Sequence, residues 1–166
     1  MDQADVQRLA RYNDWQNRLM QAEIALLPPQ DLTAQRGAFF GSILATANHL
    51  LWADRMWLSR LSDVARPEGG IADSLALTDG LSEWSSERQT LDAHMLGWAE
   101  ALGSADLSGD LRWWSGASGR EQQQPKALCI AHMFNHQTHH RGQIHAMVTA
   151  AGGAGWVSDL FLMPSQ

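Results

Sequence analysis

Apolar residues recur at spacings of three, four and seven along four long stretches of this sequence, which is the repeat of a helix with one buried face. The four predicted helices cover residues 2–27, 39–61, 81–102 and 125–151. Pro28 and Pro29 end the first, because proline lacks a backbone N–H and disfavours helix in the residue before it. Gly152 and Gly153 follow the last. Four helices of this length predict an all-α four-helix bundle.

Two long connectors interrupt this simple pattern. Residues 62–80 contain Pro67 and a Gly-Gly pair, and we predict a loop that either carries a functional edge or is mobile. Residues 103–124 are rich in glycine, and residues 115–119 predict the turn of a small hairpin before the last helix. We expect both connectors to line a pocket. Either is long enough for a crossover, so the helix order stays open within one expected domain of residues 1–166.

Composition argues against several classes of protein. The formal net charge is −6 and Lys126 is the only lysine, whereas nucleic-acid binding needs a surplus of cations on one face. No apolar run approaches the roughly 20 residues that span a bilayer, and the first residues form no apolar signal region. Cys129 is the only cysteine, which we expect to be a buried structural thiol. We therefore expect a cytoplasmic protein without nucleic-acid or membrane partners.

Histidines are concentrated in the last predicted helix, where five of the seven lie between His132 and His145. His136 and His140 are four residues apart, so they lie about 40° apart around the helix axis and one turn along it, and both imidazoles can reach one ion. His132 and His136 have the same relation. A third ligand has to come from another helix, and His49 is the only histidine of the second, among small alanines. Three neutral imidazoles with open positions are typical of a reactive metal.

The other histidines have more ordinary interpretations. We expect His132 to lie in the core or to hydrogen-bond across the bundle near the metal. His139 points about 100° away from its neighbour, so it would serve a dimer interface or bind a carboxylate. His94 and His145 are expected to be structural.

Polar residues are unusually frequent on the histidine-rich helix. Arg141 and Gln143 are typical of a site or a subunit interface, and the alternative is a solvated edge. Asp54 follows His49 by five residues, and we expect it to pair with Arg141 or His139 rather than to bind the metal. Asp54 and Arg141 are therefore candidates for residues that act around the metal without coordinating it.

Two segments together resemble a known family. FFGSILATANHLLWADRMWLSRL at residues 39–61, followed far downstream by HMFNHQTHHRGQIHAM at residues 132–147, is similar to the DinB/YfiT-like superfamily, named after a damage-inducible bacterial protein. The resemblance covers nearly the whole chain, and NHxTHHRGQ is its most specific part. It implies an up-down-down-up four-helix bundle, a metal ion held by His49, His136 and His140, and often a homodimer.

The same resemblance implies a range of functions. Some members transfer or rearrange substrates with low-molecular-weight thiols such as bacillithiol or mycothiol, one branch isomerises maleylpyruvate, and many have no assigned activity. Zinc or nickel is the divalent ion that the family leads us to expect, although imidazole also binds copper and iron.

Three functions remain open on the sequence. The first is a metal-dependent enzyme, an S-transferase or isomerase, in which an open metal position takes a small thiol and the second reactant is an electrophile. The second is a non-catalytic metal-binding protein of a stress response, acting as a store or sensor. The third is a helical interaction module whose histidines are structural. The sequence displays neither an obvious general base nor a DNA-binding element.

Overall fold

The computed structural model describes residues 1–165, and Gln166, the last residue of the predicted domain, lies outside the described residues. The chain is mostly helical, with one small two-stranded sheet. The helices are α1 (Gln3–Ala25), α2 (Pro29–Thr33), α3 (Ile43–Leu61), α4 (Leu81–Ala101) and α5 (Lys126–Ala150). The strands are β1 (Asp110–Ser115) and β2 (Arg120–Pro125). The predicted helical character is therefore confirmed.

Helix α1 begins with a reciprocal cap. The Asp2 side chain accepts the Asp5 N–H at 2.9 Å, and the Asp5 side chain accepts the Asp2 N–H at 3.0 Å, which satisfies two donors at the helix start. The helix ends before the two prolines, as predicted. The short helix α2, which was not predicted, begins at the second proline; at this first helical position the missing N–H of Pro29 costs nothing.

Helix α3 starts at Ile43 and not at Phe39, where the apolar pattern placed it. Gly41 has a φ of +80°, a left-handed conformation that favours glycine and cannot continue a helix. Ser42 then caps the helix, because its Oγ accepts the Ala45 N–H at 3.2 Å. The two phenylalanines before the cap consequently lie in a turn.

The four long helices enclose one apolar core. Helix α1 packs on α4 and α5, and α3 packs on the same two helices. Fully buried side chains come from all four helices: Val6, Met20, Leu50, Leu51, Leu58, Trp84, Met95, Met133 and Ile144. Burial of each such side chain contributes about 1.5–3 kcal/mol. Cys129 is 2% exposed, as expected of a structural thiol. Among residues 1–165 we find no helix with the length and apolarity needed to span a bilayer.

Strands β1 and β2 form the predicted hairpin. They pair antiparallel, from Asp110 opposite Pro125 to Ser115 opposite Arg120. The turn between them ends at Gly119, whose φ of +63° is again in the region that favours glycine. Since β2 ends immediately before α5, the hairpin stands beside the first turn of the histidine-rich helix.

The connector of residues 62–80 is attached to α3 by the side chain of Asn48. Its Nδ2 donates to the Leu75 carbonyl at 3.2 Å, and its Oδ1 accepts the Thr78 hydroxyl at 2.8 Å. Leu75 belongs to a 3-10 turn, Asp73–Ala76. Of the two predicted alternatives, a functional edge or a mobile loop, these bonds argue against a mobile loop at residues 75–78.

Candidate metal centre

The three predicted ligands lie together between α3 and α5. His49, His136 and His140 each offer a ring nitrogen, and these atoms all lie within 4.8 Å of one another. His49 and His140 are 5% exposed, and His136 is half-buried. The two Nε2 atoms of His136 and His140 are 3.1 Å apart. Two nitrogens bound tetrahedrally to one zinc ion at about 2.0–2.1 Å are about 3.3 Å apart, so the observed spacing fits a shared ion.

Ser74 determines which nitrogen of His49 is free. The Ser74 hydroxyl lies 2.9 Å from His49 Nδ1 and donates its only proton to the Ile71 carbonyl at 2.6 Å. It must therefore accept the proton of Nδ1, and the lone pair of His49 resides on Nε2. A ligand oriented by a hydrogen bond to its second nitrogen is the usual arrangement around a metal. Ser74 comes from the connector 62–80, which confirms that this connector borders the site.

Gln143 has the same role for His140. The Gln143 Oε1 accepts the His140 Nδ1–H at 2.8 Å, which leaves the lone pair of His140 on Nε2. The amide group of Gln143 points its NH₂ toward His139, where it lies 3.2 Å from Nε2. A single orientation of the amide thus satisfies both contacts. Gln143 was predicted only as part of a polar stretch, and Ser74 was not predicted at all.

Within the described part of the chain, His136 has no hydrogen bond that orients it through its second nitrogen; its Nε2 contacts the Nε2 of His140. Its Nδ1 is buried and has no hydrogen-bond partner among residues 1–165. Its ring lies between three others, with centroids 4.3 Å from His140, 5.5 Å from His49 and 5.9 Å from His132. Among the three candidate ligands, His136 therefore has the least support from hydrogen bonds.

Burial keeps the three imidazoles neutral. It lowers the pKa of His136 to about 3, helped by the positive charge that neighbouring histidines would carry. It lowers the pKa of His49 to about 4, with a smaller contribution from His140. The pKa of His140 is also lowered by burial, although its bond to Gln143 opposes the shift. Because imidazole binds metal only when it is neutral, the three candidate ligands are in the protonation state that metal binding requires at pH 7.

An aromatic side chain closes one side of the cluster. The Phe40 ring lies 4.0 Å from the His49 ring and 5.5 Å from the His140 ring, measured between centroids. Phe40 belongs to the turn before α3, whereas the sequence pattern placed it inside the helix. An apolar wall excludes water and strengthens electrostatic interactions in the site.

Asp54 and Arg141 do not form the contacts that were expected of them. Asp54 accepts a hydrogen bond from Arg88 Nη1 at 2.6 Å, and not from Arg141 or His139. Arg141 donates to the Oδ1 of Asn13 on α1. Both side chains are buried, but within residues 1–165 neither forms a hydrogen bond to any of the three candidate ligands. The predicted pairing is therefore wrong.

Arg88 is the centre of a buried network that was not predicted. Its Nη2 lies 2.7 Å from the Asp92 carboxylate, and Asn17 on α1 donates to both oxygens of that carboxylate at 2.9 and 3.1 Å. The signal for Arg88 was present in the sequence. It follows Trp84 by four residues and precedes Leu91 by three, which places it on the buried face of α4.

The other histidines lie at the border of the site or away from it. His132 is exposed and packs edge-on against Trp57, 5.0 Å between centroids, so its expected place in the core is wrong. His145 packs against Trp156 at 4.7 Å, in keeping with a structural role. His94 is exposed on α4.

Comparisons with known proteins agree with the resemblance noted in the sequence. The sequence model of the DinB family matches residues 1–163. The protein DinB of Bacillus subtilis (strain 168) is 26% identical over 159 residues, which cover 92% of this chain and 89% of that protein. The crystal structure of a DinB-like protein from Bacillus cereus ATCC 10987 superposes with a TM-score of 0.64 at 17% identity, over 86% of this chain and 89% of the other. The structural likeness supports the fold alone.

Proposed function

Because this chain belongs to the DinB family, we propose that it binds one divalent metal ion through His49, His136 and His140. The observation that carries the proposal is the convergence of three neutral imidazoles from two helices, two of them with Nδ1 hydrogen-bonded so that Nε2 is free. Zinc or nickel is the proposed ion, since three imidazoles suit both.

We further propose that the site acts with a low-molecular-weight thiol, as an S-transferase or an isomerase. Three protein ligands leave one coordination position of the metal ion open. A thiol that binds the ion at this position has a lowered pKa, so that thiolate forms near neutral pH. The residues of the chain hold the three imidazoles in place, and Phe40 excludes water on one side. An electrophile would be the second reactant.

In this proposal Arg141 and Asp54 are positioning residues. Arg141 follows His140 directly on α5 and bonds to Asn13 on α1. Asp54 lies on α3, five residues beyond His49, and bonds to Arg88 on α4. The two bonds tie each ligand-bearing helix to a neighbouring helix, and so restrict how the ligands move relative to one another.

The proposal also covers the extent of the domain, the order of the helices and the oligomeric state. We propose a single domain over residues 1–166, with the four long helices in an up-down-down-up bundle. Its support is that each long helix packs against two others around one core. A homodimer completes the proposal, on the grounds of family membership.

A non-catalytic metal-binding protein of a stress response is the second candidate. The observation in its favour is the chemistry around the three imidazoles. Within residues 1–165 no carboxylate hydrogen-bonds to them, and the nearest predicted acid, Asp54, is engaged by Arg88. A store needs no general base, whereas many enzymes do.

Metal analysis tests the binding proposal. Protein made without a histidine tag and without nickel resin should contain about one zinc or nickel ion per chain, as measured by inductively coupled plasma mass spectrometry. His136→Ala should lose the ion, because the two remaining imidazoles hold it poorly. His94→Ala is the matched control, since His94 is exposed on another helix, and it should retain the ion. Equal metal content in the two variants would contradict the assignment.

A thiol assay separates the two candidate functions. Purified metal-loaded protein is incubated with an electrophile such as 1-chloro-2,4-dinitrobenzene and a panel of small thiols, and thiol consumption is followed. The S-transferase proposal predicts consumption that exceeds the protein-free rate and disappears in His136→Ala. Consumption at the protein-free rate with every thiol, by protein that does contain metal, would contradict the S-transferase.

A further inference from the structure

A row of aromatic rings leads from the metal centre along the groove between α3 and α5. On α5, His132 lies one turn before His136, and their ring centroids are 5.9 Å apart. The His132 ring meets Trp57 of α3 at 5.0 Å, and Trp57 meets Trp113 of the hairpin at 5.5 Å. Trp57 and Trp113 are half-buried and His132 is exposed, so a small molecule can reach the row.

Arg60 lies at the far end of this row. Its guanidinium carbon is 4.6 Å from the centroid of Trp57 and 5.6 Å from that of Trp113. Two other half-buried arginines have partners: Arg36 pairs with Asp31 and Arg55 pairs with Glu87. Within residues 1–165 Arg60 forms neither a salt bridge nor a hydrogen bond, although it carries five N–H donors.

Other basic residues lie near Arg60, although the chain as a whole is acidic. Beside the aromatic row, Arg60 also lines a cavity of about 280 Å³ together with Lys126, the only lysine, and Asp106; Trp57, Trp113 and His132 do not line this cavity. The Asp106 carboxylate accepts the Gly103 N–H at 2.8 Å, and the cavity is thus lined by two basic residues and one acidic residue. Burial and, after it, the charge of Arg66 lower the pKa of Arg60 to about 10, so that the guanidinium remains charged at pH 7.

His49, Trp57 and Arg60 lie along one face of α3, so the two ends of the row are on the same side of the helix. Ala53 is one turn after His49 and one turn before Trp57 on the same face of α3. Ala53 is 5% exposed and belongs to a buried cluster with Trp52 and Met56, so a ligand reaches from one end to the other across the exposed ring of His132. A ligand that lies in the groove therefore meets metal ligands at one end and a fork of guanidinium donors at the other.

We propose that Arg60, Trp57, Trp113 and His132 form a subsite for the carboxylate of an acidic thiol whose sulfur lies at the three histidines. Arg60 binds a carboxylate through two parallel N–H donors, and the aromatic rings pack against the part of the molecule between its two ends. The inference rests on the proposed thiol function, and it adds the class of thiol: one with a carboxylate at a distance from its sulfur.

A series of straight-chain ω-mercaptocarboxylates and the ω-mercaptoalcohols of equal length tests this subsite. Binding to cobalt-substituted protein is followed through the sulfur-to-cobalt charge-transfer band. At the best chain length the acid should bind about tenfold more tightly than the alcohol, a typical value for a charge-assisted bidentate contact. In Arg60→Gln this ratio should fall to about one, and Arg60→Lys should restore only part of it.

Arg55→Gln is the matched control. Arg55 lies on the same helix but pairs with Glu87, so its replacement should leave the preference for the acid unchanged. Circular dichroism and thermal unfolding of each variant establish that it is folded. An acid that binds no better than its alcohol in the wild-type protein, or a preference that survives in Arg60→Gln, would overturn the subsite.

The metal-free protein separates failure of the subsite from failure of the metal proposal. Hexanoate and hexanol, which lack a thiol, are titrated into metal-free protein by calorimetry. Binding of hexanoate alone, lost in Arg60→Gln, supports the subsite even if the chain proves to hold no ion. Absence of a carboxylate preference in a protein that does bind cobalt overturns the subsite and leaves the metal centre standing.

Discussion

Ser74 and Gln143 set the state of two candidate ligands, and they differ in how far the sequence could reveal them. Gln143 is three residues after His140 on one helix, a spacing at which side chains meet. Ser74 is 25 residues from His49, on a connector without periodic pattern. A contact of that kind depends on how the connector folds back, which local spacing does not encode. The histidines were predictable; the hydrogen bond to Ser74 was not.

Replacing Ser74 should weaken metal binding without removing a ligand. Ser74→Ala leaves the Nδ1–H of His49 unpaired, so zinc affinity should fall about 10- to 100-fold, measured by competition with a chelator of known affinity. Ser59→Ala is the control, because Ser59 donates only to the Met56 carbonyl on α3. Equal affinity in the two variants would mean that Ser74 does not orient the ligand.

The lowered pKa values of the histidines predict how stability depends on pH. The folded metal-free protein keeps His136 neutral down to about pH 3 and His49 down to about pH 4, whereas the unfolded chain protonates both near pH 6.5. Between these values the unfolded state binds more protons, so the free energy of unfolding falls as the pH falls from about 6.5 to 4. Urea unfolding of metal-free protein at pH 7, 6 and 5 measures this decrease.

The variant that tests this linkage is His136→Leu, which should show a smaller decrease across the same pH range. His94→Leu removes an exposed histidine instead and should follow the wild-type curve. If both variants lose stability with pH as steeply as the wild-type protein, the buried histidines are not its cause.

At the scale of elements, the long helices were predictable because each buries one face, so that apolar residues recur about every 3.6 residues along its sequence. The start of α3 was predicted four residues too early, since Phe39 and Phe40 continue the apolar rows although Gly41 breaks the helix. Helix α2 is too short for periodicity to show. The buried Arg88 and Asp92 of α4 were not predicted, because the pattern of apolar residues does not reveal which charged residues are buried.

Removing Arg88 should be strongly destabilising. Arg88→Met leaves Asp54 and Asp92 buried without their cation, which should cost about 3–5 kcal/mol of unfolding free energy in urea. Arg18→Met, which breaks an exposed ion pair with Asp14, should cost less than about 1 kcal/mol.

A compensating variant distinguishes lost charge from lost packing. Replacing both acids by asparagine in the Arg88→Met background removes the unpaired charges, so part of the stability should return. No recovery, or equal costs for Arg88→Met and Arg18→Met, would contradict the electrostatic account of the network.

At the scale of the whole molecule, the candidate site joins two helices that are far apart in sequence. His49 lies on α3, and His136 and His140 lie on α5, with α4 and the hairpin between them along the chain. Spacing within α5 could pair the latter two, but only the packed structure brings the third to within 4.8 Å. This approach depends on the packing of α3 against α5, and the sequence pattern did not predict which helices pack together.

A metal bound across two helices should stabilise the whole fold. Zinc that binds the folded state alone raises the free energy of unfolding by about 4 kcal/mol at a free concentration 1,000 times its dissociation constant. Urea unfolding over a range of zinc concentrations measures the increase, and His49→Ala should abolish most of it. Equal stabilisation of wild-type protein and variant would place the ion elsewhere.

X-ray absorption at the zinc edge of tag-free, zinc-loaded protein tests the shared site most directly. We predict three imidazole nitrogens at about 2.0–2.1 Å from one ion per chain, and two in His49→Ala. A wild-type spectrum with fewer than three imidazoles, or one that is the same in His49→Ala, would contradict a centre built from α3 and α5 together.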